Sequence, residues 1–245
     1  MGSTIRSFLP NLFTLGNLAL GSWAIVLSYD RDWQGFALTL IAAMGCDWLD
    51  GGLARLLKAE SSIGKELDAL ADLVSFGIAP AFALYNYLRE PLPYLLYGRE
   101  VRFWMVVAPF ALPLLAAWRL ARFNAAPPTN NRFFEGLPTP AHGAFWAGWL
   151  LTQPSGLWLH PVSWFGLIIL LGAAMVSRWP FLSLKSRENL SALSLLVPLA
   201  FLIGGFCFSL DPSIIPPALL CLYGGGSVLV ALLSKGKDTQ SVSGH

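Results

Sequence analysis

The stretch Asp47-Trp48-Leu49-Asp50-Gly51-Gly52-Leu53-Ala54-Arg55, followed after eight residues by Gly64-Lys65-Glu66-Leu67-Asp68-Ala69-Leu70-Ala71-Asp72, decides how this chain is read. It sets four aspartates between two long apolar runs. Asp47 and Asp50 are three residues apart and Asp68 and Asp72 four, so on helices each pair projects from one face, a turn apart. The apolar flanks have membrane-helix length, which places the carboxylates around one turn at a membrane surface. A charged Asp at the centre of a bilayer helix costs about 2.5–3.5 kcal/mol, so something cationic belongs among them. Carboxylate oxygens favour Mg²⁺ or Mn²⁺ over zinc, and a set this large suits two ions.

Composition says the same of the whole chain. Of 245 residues 55% are apolar and only 12% charged, and the mean hydropathy is +0.59. Soluble domains carry about 25% charged residues, roughly twice as many. At about 20 residues per span, the apolar runs leave only short loops and no room for a separate folded domain. We read one all-α, polytopic membrane domain over 1–245. The formal charge of +2 and the lack of a basic module give no reason to expect a nucleic-acid partner. Cys46, Cys207 and Cys221 lie in apolar segments without metal-ligand spacing and read as buried thiols.

Eight apolar runs are expected to cross the membrane, near 11–29, 34–57, 63–88, 102–124, 138–153, 159–176, 190–208 and 214–233. The fifth is short and begins in a Pro-rich stretch, which leaves a seven-helix alternative. The first run continues to Ser28 and is followed by seven more, so it reads as a membrane helix rather than a signal peptide. With eight spans, twelve of the sixteen basic residues fall on the side of the N-terminus. Only Arg31, Arg89, Arg99 and Arg102 fall opposite. The positive-inside rule then places both termini and the aspartate turn in the cytoplasm. The polar tail, residues 235–245, reads as disordered.

Gly51, Gly52, Ala54 and Gly64 leave the helix faces beside the aspartates without bulk, so a flat ligand can approach the backbones. Arg55 adds a fork suited to phosphate. Two other readings use the same residues: small residues permit close helix packing in membranes, and intramembrane carboxylates mark proton or cation pathways.

The pattern D-x2-D-G-x2-A-R-x8-G-x3-D-x3-D, filled by Asp47, Asp50, Gly51, Ala54, Arg55, Gly64, Asp68 and Asp72, resembles the signature of the CDP-alcohol phosphotransferases at all eight fixed positions. The resemblance implies a six-helix core, here about residues 5–185, extended by two helices within 186–234. It also implies a membrane enzyme, a homodimer, that displaces CMP from a CDP-linked lipid or alcohol. By the same resemblance Asp47, Asp50, Asp68 and Asp72 would hold two divalent ions, and Asp72 would also be the general base. Gly51, Ala54 and Gly64 would receive the cytidine and ribose and Arg55 the diphosphate, with Asp50 also among the residues that bind CDP.

Further stretches resemble the bacterial and archaeal phosphatidylserine synthase branch of that family. They are Leu9-Pro10-Asn11-Leu12-Phe13-Thr14, Asp72-Leu73-Val74-Ser75-Phe76-Gly77-Ile78-Ala79-Pro80, Arg119-Leu120-Ala121-Arg122-Phe123-Asn124, Gly136-Leu137-Pro138-Thr139-Pro140 and Met175-Val176-Ser177. This branch implies CDP-diacylglycerol and L-serine as substrates and the bacterial inner membrane as location. Glycerol 3-phosphate or inositol as acceptor, or a cation-coupled transporter, stand as alternatives. Arg119 and Arg122, with Asn124, are candidates for the serine carboxylate, which a guanidinium meets bidentately. Asn11 and Thr14 are candidates for supporting a phosphate or a metal ligand, or for capping a helix after Pro10. Glu66 reads as solvated and His142 as more structural than functional. Pro80, Pro109, Pro113 and Pro198 are expected to kink helices. Trp23, Trp33, Trp104, Trp158, Trp164 and Trp179 are expected at the membrane interface.

Overall fold

The computed structural model describes residues 2–59, 61–89, 98–125, 133–152, 160–182 and 219. The described residues are all-α apart from one short ladder. α1 (Gly2–Tyr29) and α2 (Trp33–Leu56) form an antiparallel hairpin. Their turn is made by Arg31 at φ 60°, and Asp32 caps α2 by accepting from the Gly35 N–H at 2.8 Å. α3 (Ser62–Asp72) starts on Ser61, whose hydroxyl accepts from the Gly64 N–H at 3.0 Å. It continues without a break through a π-helical turn, Leu73–Ile78, into α4 (Ala79–Arg89). α5 (Gly98–Val107) passes through a 3₁₀ turn, Ala108–Phe110, into α6 (Ala111–Ala125). α7 (Thr139–Leu151) and α8 (Pro161–Val176) follow. The strands β1 (Phe133–Glu135) and β2 (Pro180–Leu182) pair antiparallel and lie just before α7 and just after α8.

Among the described residues, four segments are long and apolar enough to cross a membrane: Phe8–Tyr29, Trp33–Leu56, Ser62–Arg89 and Gly98–Ala125. α8 is apolar but shorter. The first six expected runs each coincide with a helical segment. The count of eight does not follow from the structure, because 190–208 and 214–233 lie outside the described residues apart from Leu219. Cys207, Cys221, Trp158 and Pro198 lie outside them too.

Two prolines account for the two irregular turns. Pro80 has no N–H to give Phe76 O, and Pro109 none to give Met105 O, the carbonyls four residues back. In each case a ring N–H from another helix supplies the donor. His142 Nδ1 lies 2.9 Å from Phe76 O, and Trp164 Nε1 donates to Met105 O at 2.9 Å. This is the repair that apolar surroundings demand, since no water is there to take the place of the lost bond.

Trp164 is thereby drawn inside. It is fully buried and packs edge-on against Trp146, with Trp149 close by; Tyr87 bridges Trp149 to Trp33. The expected interfacial role is therefore corrected for Trp164 and for Trp33, which is only 9% exposed. Trp23, Trp104 and Trp179 are exposed. α1 also differs from expectation: it begins well before Pro10, so Asn11 and Thr14 do not cap it. Thr14 instead donates to Pro10 O at 3.1 Å within the helix.

The π turn sits at the centre of the packing, in contact with α1, α6 and α7. Glycines make this possible. A Cβ on Gly143 would lie 2.9 Å from the Phe76 ring, and one on Gly21 would collide with the Ser75 hydroxyl.

Candidate active site

Three of the four aspartates converge. Asp47 and Asp50 from the end of α2 and Asp68 from α3 each offer a carboxylate oxygen within 4.8 Å of the others. Asp50 is 5% exposed, and the other two are half-buried. Three like charges this close to low-dielectric surroundings repel strongly unless a cation sits among them. The donor set is all carboxylate oxygen, which fits Mg²⁺ or Mn²⁺.

Asp72 is held differently. It is one turn beyond Asp68, at the junction of α3 and the π turn, and is 7% exposed. Its Oδ1 accepts from Asn17 Nδ2 of α1 at 3.2 Å, and its Oδ2 accepts from Thr139 Oγ1 of α7 at 3.3 Å. Arg119 of α6, also buried, donates to the same Thr139 hydroxyl across 3.5 Å. Asn17 is fixed in turn by Ser75, whose hydroxyl donates to Asn17 O at 2.9 Å. The carboxylate is thus gripped on both oxygens by donors from two different helices.

A Cβ on Gly52 would meet nothing within 4 Å, so this side of α2 is open. Gly51 and Ala54 are half-buried beside it, and Arg55 is exposed at the last turn of α2. Gly64 opens α3 with Asn11 against it, since a Cβ there would lie 3.1 Å from Asn11 Oδ1. Asn11 therefore reaches the aspartate turn, while Thr14 is spent on its own helix.

The three residues considered for serine differ. Arg119 stands next to the Asp72 grip. Arg122 donates to Val176 O at 2.7 Å and to Ser177 O at 3.2 Å, tying α6 to the end of α8. The Asn124 carbonyl accepts from Lys65 Nζ at 2.9 Å. Glu66 is exposed, as expected. His142 is fully buried with both ring nitrogens occupied, by Phe76 O and by the indole N–H of Trp146 at 2.9 Å.

Sequence reasoning missed Asn17 and Thr139. They stand 55 and 67 residues from Asp72, so no local spacing joins them to it. The signal available for Asn17 was an amide in an otherwise apolar membrane run, which has to face a polar partner.

Comparison with known proteins follows the same lines. Residues 7–179 match the family model described as CDP-alcohol phosphatidyltransferase. A Mycobacterium leprae protein named CDP-diacylglycerol–serine O-phosphatidyltransferase is 34% identical over 183 residues, 70% of this chain and 57% of its own length. A Helicobacter pylori protein of the same name is 32% identical over 218 residues, 80% of this chain and 88% of its own length. One from Methanocaldococcus jannaschii is 33% identical over 164 residues, 67% of this chain and 68% of its own length.

Proposed function

Because the chain belongs to the CDP-alcohol phosphatidyltransferase family, we propose that it transfers the phosphatidyl group from CDP-diacylglycerol to the hydroxyl of L-serine, giving phosphatidylserine and CMP. The observation that carries this is the arrangement of the aspartates: three carboxylates close enough to hold a metal, and beside them Asp72, which accepts from Asn17 and Thr139. The named relatives support the acceptor.

Asp47, Asp50 and Asp68 would hold Mg²⁺ or Mn²⁺, with Asp72 available to a second ion. The metal, when bound, neutralises charge on the diphosphate and on the leaving CMP. Arg55, Gly51, Ala54, Gly64 and Asp50 receive the CDP half, and Asn11 supports the turn that holds it. Asp72 takes the proton of the serine hydroxyl, whose oxygen attacks the phosphorus bearing diacylglycerol, and the bond to CMP breaks. Arg119 holds the serine carboxylate, since it is the buried guanidinium next to the base; Arg122 and Asn124 serve the frame around it. The basic residues on the side of the aspartate turn support a cytoplasmic active site in the inner membrane. The homodimer rests on family resemblance alone.

The test is a CMP-release assay with detergent-purified protein, CDP-diacylglycerol and Mn²⁺ or Mg²⁺. Serine, glycerol 3-phosphate and inositol are supplied separately, with Asp72→Asn as control. Release that needs serine and is lost in the variant supports the reaction as written. Release with another acceptor overturns serine, and folded protein that releases no CMP with any acceptor overturns the enzyme reading in favour of a transporter.

A further inference from the structure

Thr139 receives more structural support than a helix-opening threonine requires. Gly136, at φ 77°, has no room for a Cβ against Met175 O, and its N–H donates to Trp179 O at 3.0 Å. The Leu137 N–H donates to Ala174 O at 2.9 Å, and β1 pairs with β2 immediately before them. Arg122 ties the same end of α8 to α6. The segment Gly136-Leu137-Pro138 is thereby pinned to the end of α8, and Thr139 follows directly from it. Its hydroxyl does nothing for its own helix; it bonds to Asp72.

The direction of that bond is forced. A hydroxyl has one proton, and a guanidinium only donates. With Arg119 donating to Oγ1, the threonine proton goes to Asp72 Oδ2. The β-branched side chain restricts χ1, so the oxygen is held in place rather than sampled.

We propose that Thr139 is a positioning residue that fixes the rotamer of Asp72 and sets the offset between that carboxylate and the Arg119 guanidinium. Both groups bond to the same hydroxyl, that of Thr139. An acceptor that presents its hydroxyl to Asp72 and its anionic group to Arg119 must carry them a few bonds apart, as a short β-hydroxy acid does. This rests on Asp72 being the base and deepens that reading.

The experiment is steady-state CMP release from CDP-diacylglycerol, with Mn²⁺ and L-serine, for wild type, Thr139→Val and Thr139→Ser, alone and combined with Arg119→Lys. Valine keeps the shape and removes the hydroxyl. Misplacing a reacting group by about 1 Å costs up to about a hundredfold. We expect kcat to fall about tenfold to a hundredfold in Thr139→Val, with the KM for CDP-diacylglycerol within about twofold and the KM for serine raised. Thr139→Ser should recover most of the rate. The Thr139→Val and Arg119→Lys losses in kcat/KM for serine should combine to less than their product.

A Thr139→Val enzyme as fast as wild type overturns the proposal, and so does a Thr139→Ser enzyme as slow as Thr139→Val. If Thr139→Val does not purify folded, Thr139→Ala takes its place; if neither folds, the hydroxyl is structural and the proposal is overturned. A folded wild type that releases no CMP with serine fails at the reaction itself, which separates that failure from a fault in this assignment.

Discussion

His142 Nδ1 donates to the Phe76 carbonyl at 2.9 Å, and Phe76 is the residue whose carbonyl Pro80 cannot serve. The direction follows from Trp146. Its indole N–H only donates, so His142 Nε2 accepts and the ring proton sits on Nδ1. The bond lies one turn beyond Asp72 and joins α7 to the π turn. Histidine here supplies the bond that proline withholds from a continuous helix.

That assignment predicts a coupling. His142→Ala leaves Phe76 O and the Trp146 indole buried without their bonds and opens a cavity, at about 2–4 kcal/mol. In a Pro80→Ala background the backbone regains an N–H at that position, which can serve Phe76 O, so the same substitution should cost about 1 kcal/mol less. Thermal unfolding of the four detergent-solubilised proteins checks it. Losses that simply add would mean that Pro80 is not the reason His142 is needed.

Gly21 sets two effects of opposite sign against each other. Alanine is favoured over glycine inside a helix by about 1 kcal/mol. Against this, a Cβ at position 21 would lie 2.6 Å from Ser75 Cα, with no flexible side-chain end to give way. Overpacking of this kind costs about 1–3 kcal/mol, so the steric effect should win. Gly21→Ala should melt lower than wild type. Because α1 carries Asn17 one turn away, kcat should fall with it. A variant that melts higher would disprove the close approach of α1 to the π turn.

How much of this was legible in the sequence depended on distance along the chain. Asp47 and Asp50, and Asp68 and Asp72, could be paired by helical spacing, and the apolar runs located every helical segment among the described residues. The split of Asp72 from the triad could not be seen, because its partners Asn17 and Thr139 come from α1 and α7. The π turn was hidden for a related reason: Pro80 announces a disruption, but its form depends on His142 being in place across the interface. Trp164 was misplaced because its position near a helix end suggests an anchor, whereas Met105 O, left bare by Pro109, holds it inside. The β1–β2 ladder is only three residue pairs long and carried no alternating pattern to find.

The aspartate triad should respond to metal without any substrate. A ligand at a hundred times its Kd stabilises the folded state by about 2.7 kcal/mol. Mn²⁺ or Mg²⁺ should therefore raise the melting temperature of wild type, and EDTA should reverse the rise. Asp50→Asn and Asp68→Asn should lose the response together with at least about a hundredfold of the CMP-release rate. Asp72→Asn should keep most of the thermal response and lose the rate. Loss of the thermal response in Asp72→Asn alone would place the metal elsewhere in the cluster.

Arg119 and Arg122, three residues apart on α6, should separate cleanly by the quantity each one moves. The Arg122 guanidinium closes the last carbonyls of α8 at Val176 and Ser177, the site where a helix end needs donors and welcomes positive charge. Arg122→Ala should cost about 1–3 kcal/mol of stability, and the KM for serine should stay close to wild type. Arg119 is as buried as Asp72, and its partner at Thr139 is itself bonded to that carboxylate. Arg119→Lys keeps the charge but loses the planar fork that meets a carboxylate with two parallel bonds. Charge-assisted bonds are worth about 1.5–3 kcal/mol, so the KM for serine should rise about tenfold or more while the KM for CDP-diacylglycerol holds. Kinetics with each substrate varied in turn, set beside melting curves, decide the matter. If Arg122→Ala raises the serine KM and Arg119→Lys leaves it unchanged, the acceptor carboxylate sits at the α6–α8 junction, and the offset argued for Thr139 no longer describes the substrate.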